Sequence, residues 1–274
     1  MRPHPIRVAA VFLAPDPAPA RGCETGVRGA VYTSHVWRTV GFLLYFWPLL
    51  YLMTLAVLPL AMIFRLVGYP RLARQLLDES TARWSRHMLQ VLGAKVCVLG
   101  RENLPDDSRI CIVANHQSYG DSLMIQGYLG LVAGFVAKRE LAAIPPLSLW
   151  MRSVGTVFVH RGDAKQARRV LLRAARNIAA GRPMAVFPEG TRSRGGPVGQ
   201  FKAAALRLAW DSGATIVPVS LVGTANLLEK QGYLRSASVT MVIHPPCYAA
   251  DYRRQGRQVL AVRLRETIIS GFPG

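Results

Sequence analysis

Acidic side chains are scarce: 15 Asp and Glu stand against 34 Lys and Arg, a formal net charge of +19 over 274 residues. So basic a chain is set up for anionic partners rather than cationic ones. Its long-range field does not choose between nucleic acid and lipid headgroups. Cysteine is sparse as well. Cys23, Cys97, Cys111 and Cys247 lie far apart, with no CxxC pair and no histidine at ligand spacing. This argues against a disulfide framework or a zinc site and for reduced, mostly buried thiols in a catalytic part that faces the cytoplasm. No internal repeat is present. From Val40 to Phe64 there is no charge at all, and that absence favours lipid as the anionic partner.

The uncharged run VGFLLYFWPLLYLMTLAVLPLAMIF is as long as the ~20 residues needed to cross a bilayer core. Pro48 and Pro59 each remove a helix hydrogen bond, so a spanning helix and a broken, re-entrant pair are both open, the spanning form slightly ahead. Basic residues flank both ends (Arg28 and Arg38; Arg65, Arg71 and Arg74), so their distribution orients the segment weakly. Trp37, Trp47, Tyr45 and Tyr51 suit interfacial anchors. Before this run, residues 1–36 carry Pro15, Pro17 and Pro19, lack periodicity and read as a flexible arm. Its patch Val8 to Ala14 is too short for a secretory signal. After it, PRLARQLLDESTARWSRHMLQVLG spaces Leu72, Leu76, Trp84, Met88 and Leu92 as one face of an amphipathic helix on the core or the bilayer. The expected organisation is therefore an arm (1–36), a membrane-embedded helix with an amphipathic one (37–93), and a catalytic domain (94–274).

Within 94–274, short apolar runs alternate with helical ones: Lys95 to Leu99, Ile110 to Ala114, Val154 to Val159, Met184 to Phe187, Thr215 to Val219 and Val239 to Ile243. Such alternation predicts an α/β domain with a mixed, mostly parallel central sheet flanked by helices. The clearest helix runs from Asp163, its cap, to about Ala180, where Gly181 stops it. Its outer face carries Lys165, Arg168, Arg169, Arg173 and Arg176, read as a solvated surface or, more sharply, as a contact with anionic lipid.

Two segments carry chemistry. ICIVANHQSYGD is an apolar strand breaking into a polar turn, which puts His116 at a strand end, where active sites of α/β folds lie. Such a histidine can serve as a base for a hydroxyl proton, since a neutral imidazole is poised near pH 7. Asp121, five residues on, can curl back to the other ring nitrogen, hold the tautomer and stabilise the imidazolium. About seventy residues later MAVFPEGTRSR makes a second such turn, where Pro188 and Gly190 shape a backbone bearing Glu189, Thr191, Arg192 and Arg194. Turn amides and an arginine fork suit a phosphate monoester. GTVFVHR delivers Arg161 from a third strand end.

NHQSYGD, GTVFVHR, FPEGTRSR and IVPVSL, in this order from about residue 90 to 245, resemble the four blocks of the 1-acylglycerol-3-phosphate acyltransferase (PlsC-like) family. The resemblance implies His116 as general base oriented by Asp121, and phosphate contacts from Arg161, Glu189, Gly190, Thr191 and Arg192. It also implies a structural or acyl-chain role for Ile216 to Leu221. Lys138 and Arg139, and Lys202 after Phe201, resemble basic positions of such enzymes that touch substrate or solvent. Glu189 can equally order the turn. The implied reaction passes an acyl group from acyl-CoA or acyl carrier protein to the sn-2 hydroxyl of 1-acyl-glycerol-3-phosphate. The product is phosphatidic acid, formed at the cytoplasmic face of a bacterial-type inner membrane without metal, redox cofactor or nucleic acid. Another lysolipid, such as lyso-ornithine lipid, is the alternative acceptor. Gly120, where the family has a bulky apolar residue, is expected to loosen the turn that aims Asp121. Ala204, where a glycine often follows the Phe-Lys pair, is expected to alter the acceptor site. Two rivals fit less well. Gly120 to Leu123 spell the GDSL block of an esterase family with Ser122 as nucleophile, but the required later Asp-x-x-His is absent. A non-catalytic binding protein has no need of a His–Asp pair. His160 reads as a packing or surface residue, and His35, His87 and His244 receive no role.

Overall fold

A computed structural model describes residues 27–160 and 162–273, with side chains described from Val36 onward. Cys23, the Val8 to Ala14 patch, most of the expected arm and Arg161 lie outside the described residues. The elements are, in chain order, α1 (Val27–Leu66), α2 (Pro70–Val91), β1 (Ala94–Leu99), β2 (Ile110–Ala114), α3 (Gly120–Tyr128), β3 (Gly134–Lys138), α4 (Pro145–Ser153), β4 (Val157–Val159), α5 (Ala164–Ala179), β5 (Met184–Val186), α6 (Arg207–Ser212), β6 (Thr215–Val222), β7 (Ala237–Ile243), β8 (Cys247–Tyr248) and α7 (Arg257–Ile269). Helix α1 starts at Val27, ten residues before the expected boundary, and runs unbroken through Pro48 and Pro59. Both prolines sit on its exposed side, where the carbonyls they displace can tilt outward.

The strands order β1-β7-β6-β2-β5-β3-β4, with β8 beside β6. All pairs are parallel except β6 with β7 and β6 with β8, so the sheet is mixed and mostly parallel. Strand β2 is buried at every position, as a central parallel strand must be. Its alternate side chains divide the core in two. Cys111 and Val113 face a layer with Leu171, Ala174 and Ile178 of α5 and Leu260 of α7. Ile110, Ile112 and Ala114 face the layer of Leu89 on α2 and Met124 and Ile125 on α3, where Phe42 of α1 also packs.

Helix α5 keeps its expected face inward, and Asp163 caps it by accepting from Gln166 N at 2.9 Å. Its basic residues are exposed. They lie across the sheet from α1. Helix α2 packs on the protein, and of its expected face Met88 and Leu92 are buried and Leu76 and Trp84 partly so. Ala73, Leu77, Thr81, Ser85, Met88 and Leu89 are buried, while Leu72 is exposed. At Ser85 the approach of α3 is close: a Cβ on Gly127 would lie 3.1 Å from Arg86 and 3.4 Å from Ser85. Cys111 is buried, Cys247 partly so and Cys97 exposed; all three are free thiols.

Candidate active site

Three loops gather at the C-terminal ends of β5, β2 and β6, neighbours in the sheet: residues 187–194, 115–121 and 223–229. Because these strands are parallel, their ends form one crevice. Asn115 ties two of the loops, donating from Nδ2 to Leu221 O and accepting from Leu221 N, both at 2.8 Å. Gln117 Oε1 accepts from Gly223 N at 3.1 Å.

His116 and Asp121 meet in this crevice, Nδ1 to Oδ2 at 2.8 Å. Oδ2 also accepts from the backbone N–H of Gln117 at 2.6 Å and of Ser118 at 2.8 Å. Thr224 Oγ1 donates to Oδ1 at 2.5 Å. The carboxyl group is wholly buried and accepts from four donors. A carboxylate oxygen accepting at Nδ1 fixes the tautomer with the proton there, which leaves the Nε2 lone pair for a proton acceptor's work. The imidazole lies flat on Phe187, centroids 4.1 Å apart and planes at 11°, a position that also favours the ring once it is positively charged.

Glu189 braces this arrangement from behind. Its Oε1 accepts from His116 N at 2.7 Å and its Oε2 from Gly199 N at 2.9 Å, while Ser193 N donates to His116 O at 2.8 Å. Burial raises the Glu189 carboxyl above its usual range, and the two backbone donors oppose the rise. Each oxygen accepts from a backbone N–H, so Glu189 orders the turn. Gly190 has φ +73° and takes the left-handed conformation the turn requires; a Cβ there would stand 3.0 Å from Lys202 Nζ, so the ammonium group lies over the turn. Thr191 is exposed. Arg192 lies over the Tyr119 ring, 3.7 Å from its centroid, and gives Nη1 to Glu229 at 3.1 Å. A turn with a guanidinium, an ammonium and N–H groups at its tip can hold an anion. Lys138 is not brought to this group: it is half exposed and pairs with Glu140 at 3.0 Å. Gly120 does not loosen the turn. A Cβ there would lie 3.3 Å from Ser118 Oγ and 3.5 Å from Leu227, so Leu227 occupies the space that a bulky residue would need.

Beside the crevice, a cavity of about 250 Å³ runs between α1, α2, α3 and α4 and begins at Ser118, Tyr119 and Glu229. Phe46, Trp84, Leu123, Phe135, Leu147 and Trp150 are among its walls. So apolar a slot suits an alkyl chain.

The family model described as Acyltransferase matches residues 95–222. A 1-acyl-sn-glycerol-3-phosphate acyltransferase of Borreliella burgdorferi is 30% identical over 182 residues, 66% of this chain and 73% of that protein. The chain belongs to the 1-acyl-sn-glycerol-3-phosphate acyltransferase family. The Saccharomyces cerevisiae protein of the same name is 31% identical, with 74% of this chain and 67% of that one covered. The crystal structure of the 1-acyl-sn-glycerophosphate acyltransferase PlsC of Thermotoga maritima superposes with a TM-score of 0.73 at 28% identity, covering 87% of this chain and 96% of that one.

In this acyltransferase the sequence pointed to the residues of two loops and missed those of the third. Thr224 and Glu229 sit in GTANLLEKQGY, about a hundred residues from His116. The available signal was that polar residues follow a buried strand, as in the other two loops.

Proposed function

We propose that this acyltransferase moves a fatty acyl group from a thioester, acyl-CoA or acyl carrier protein, to the sn-2 hydroxyl of 1-acyl-glycerol-3-phosphate, giving phosphatidic acid and a free thiol. The observation that carries the reading is the His116–Asp121 pair at 2.8 Å one loop away from the anion-holding turn at 190–192. The acceptor phosphate sits at Arg192 and the turn, and one alkyl chain enters the apolar cavity. Nε2 of His116 takes the sn-2 proton as the oxygen attacks the thioester carbonyl. The tetrahedral intermediate expels the thiolate, which takes up the proton from the imidazolium, so His116 ends neutral. The relatives' names support this acceptor. A panel of acceptors tests it: purified protein with an acyl thioester should convert lysophosphatidic acid and leave lyso-ornithine lipid nearly untouched. The reverse preference would move the substrate and keep the chemistry.

The part of α1 from Val36 to Leu66 is long and apolar enough to cross a membrane, yet one face of α1 packs on the protein. Arg38 donates to Leu92 O at 3.3 Å, Thr39 accepts from Leu234 N at 3.1 Å, and Ala61 packs with Ala73 and Leu77 of α2. The opposite face is an apolar stripe that includes Trp37, Leu44, Leu52, Leu55, Met62 and Leu66, all exposed. This packing favours a placement other than the two the sequence leaves open: an unbroken α1 lying in one leaflet with the stripe in lipid. Thioesters are made in the cytoplasm, so the reading places the enzyme on the cytoplasmic face of a bacterial-type inner membrane. Replacing Leu52 and Leu55 together by glutamate should weaken sedimentation with phospholipid vesicles at least about tenfold, with turnover of a detergent-dispersed acceptor unchanged. Undiminished vesicle binding would remove the stripe from the account.

A further inference from the structure

We propose that Glu229 is a positioning residue for Arg192 and thereby a determinant of phosphate recognition, an inference that rests on the reading of Arg192 as a phosphate contact. Glu229 follows β6 and carries no motif, yet its carboxylate is buried, its side chain 6% exposed. Oε1 accepts twice: from Tyr119 N at 2.7 Å and from Arg192 Nη1 at 3.1 Å. The same Tyr119 offers its ring to the Arg192 guanidinium at 3.7 Å. Glu229 and Tyr119 thus form two walls of one seat, joined by their own hydrogen bond. Oε2 is buried and has no hydrogen-bond partner among the described residues.

A carboxylate left half satisfied in a buried place costs stability, so packing alone does not account for it. Positioning does. A free arginine loses rotamer freedom on binding an anion, whereas a guanidinium already held on one face and at Nη1 loses little. The fork has two binding edges, and Glu229 engages the Nη1 side. The Nε–Nη2 edge, without a hydrogen-bond partner among the described residues, remains for two parallel bonds to a phosphate. Glu229 also lines the mouth of the apolar cavity with Tyr119 and Ser118. The seat therefore stands where a lysolipid's headgroup meets its chain and sets the distance between them.

The test is a double-mutant cycle on the full chain in detergent, with lysophosphatidic acid as acceptor. Arg192→Ala should raise KM about tenfold or more with kcat changed much less. Glu229→Ala should raise KM about tenfold in the wild-type background and add less than about twofold in the Arg192→Ala background. Glu229→Gln keeps an oxygen for both donors and should raise KM only about threefold, which covers the case in which the alanine variant fails to fold. If Arg192→Ala leaves KM unchanged, the phosphate reading fails and the seat with it. If Arg192→Ala acts as expected but the Glu229 variants lower kcat, or lose as much again without Arg192, Glu229 is a structural residue and only the positioning proposal is overturned.

Discussion

Replacing His116 by alanine is expected to lower turnover about 100-fold or more, with little change in KM for the acceptor and little loss of stability. The size follows from the role: an alcohol is a poor nucleophile until its proton is taken, and a positioned base contributes about 10²–10⁴-fold. The thiolate leaving group needs little help, since a thiol titrates near 8.5, so almost all of the loss should appear at the attack step. The fold should survive because the bonds that shape this loop are made by the backbone. His116 N still donates to Glu189 and His116 O still accepts from Ser193. The imidazole itself is 19% exposed and rests on Phe187 without supporting it. Initial rates at saturating acceptor, together with a thermal melt, check both halves of the expectation.

Asp121 separates chemistry from folding, because two substitutions there should behave differently. In Asp121→Asn the amide oxygen can stand where Oδ2 stands and keep the bonds from His116 Nδ1 and from the N–H groups of Gln117 and Ser118. The amide nitrogen then meets Thr224 Oγ1, whose hydrogen can turn toward Gln117 Oε1 at 3.4 Å. The fold is kept, but the imidazolium that forms during attack loses its counter-charge, so kcat should fall about 10²–10⁴-fold. Asp121→Ala instead strands two buried N–H groups, each costing about 1–3 kcal/mol. It should melt well below the asparagine variant while being no more active. Equal activity of wild type and Asp121→Asn would mean that the carboxylate only shapes the turn.

The sequence was most legible where one local pattern decided the outcome. Strand β2 falls on Ile110–Ala114 as expected because a fully buried strand is a continuous apolar run. Helix α5 is capped at Asp163 and closed before Gly181 because both signals are local. His116, Asp121 and the 188–192 turn were readable for the same reason, each being the polar end of an apolar strand. What was illegible depends on tertiary approach. The buried face of α2 depends on its neighbours: Gly127 of α3 comes close at Ser85, and Ala73 packs with Ala61 of α1. Strand β3 is short and begins at Gly134, where the backbone of Gly155 leaves no room for a Cβ, and nothing in FVAKREL marks it as a strand. Lys138 was read from its place in a motif, but its ammonium has a nearer carboxylate two residues away. Thr224 and Glu229 gain their meaning only when β6 is laid beside β2.

The most direct test of the account is phosphatidic acid formation by purified wild-type protein and His116→Ala side by side, from lysophosphatidic acid and an acyl thioester in detergent. The account predicts product with the wild type and a rate lowered about 100-fold or more in the variant, with lysophosphatidic acid still bound. Near-normal product from His116→Ala would contradict it, because the proton would then leave the sn-2 hydroxyl by a route that does not pass through this histidine.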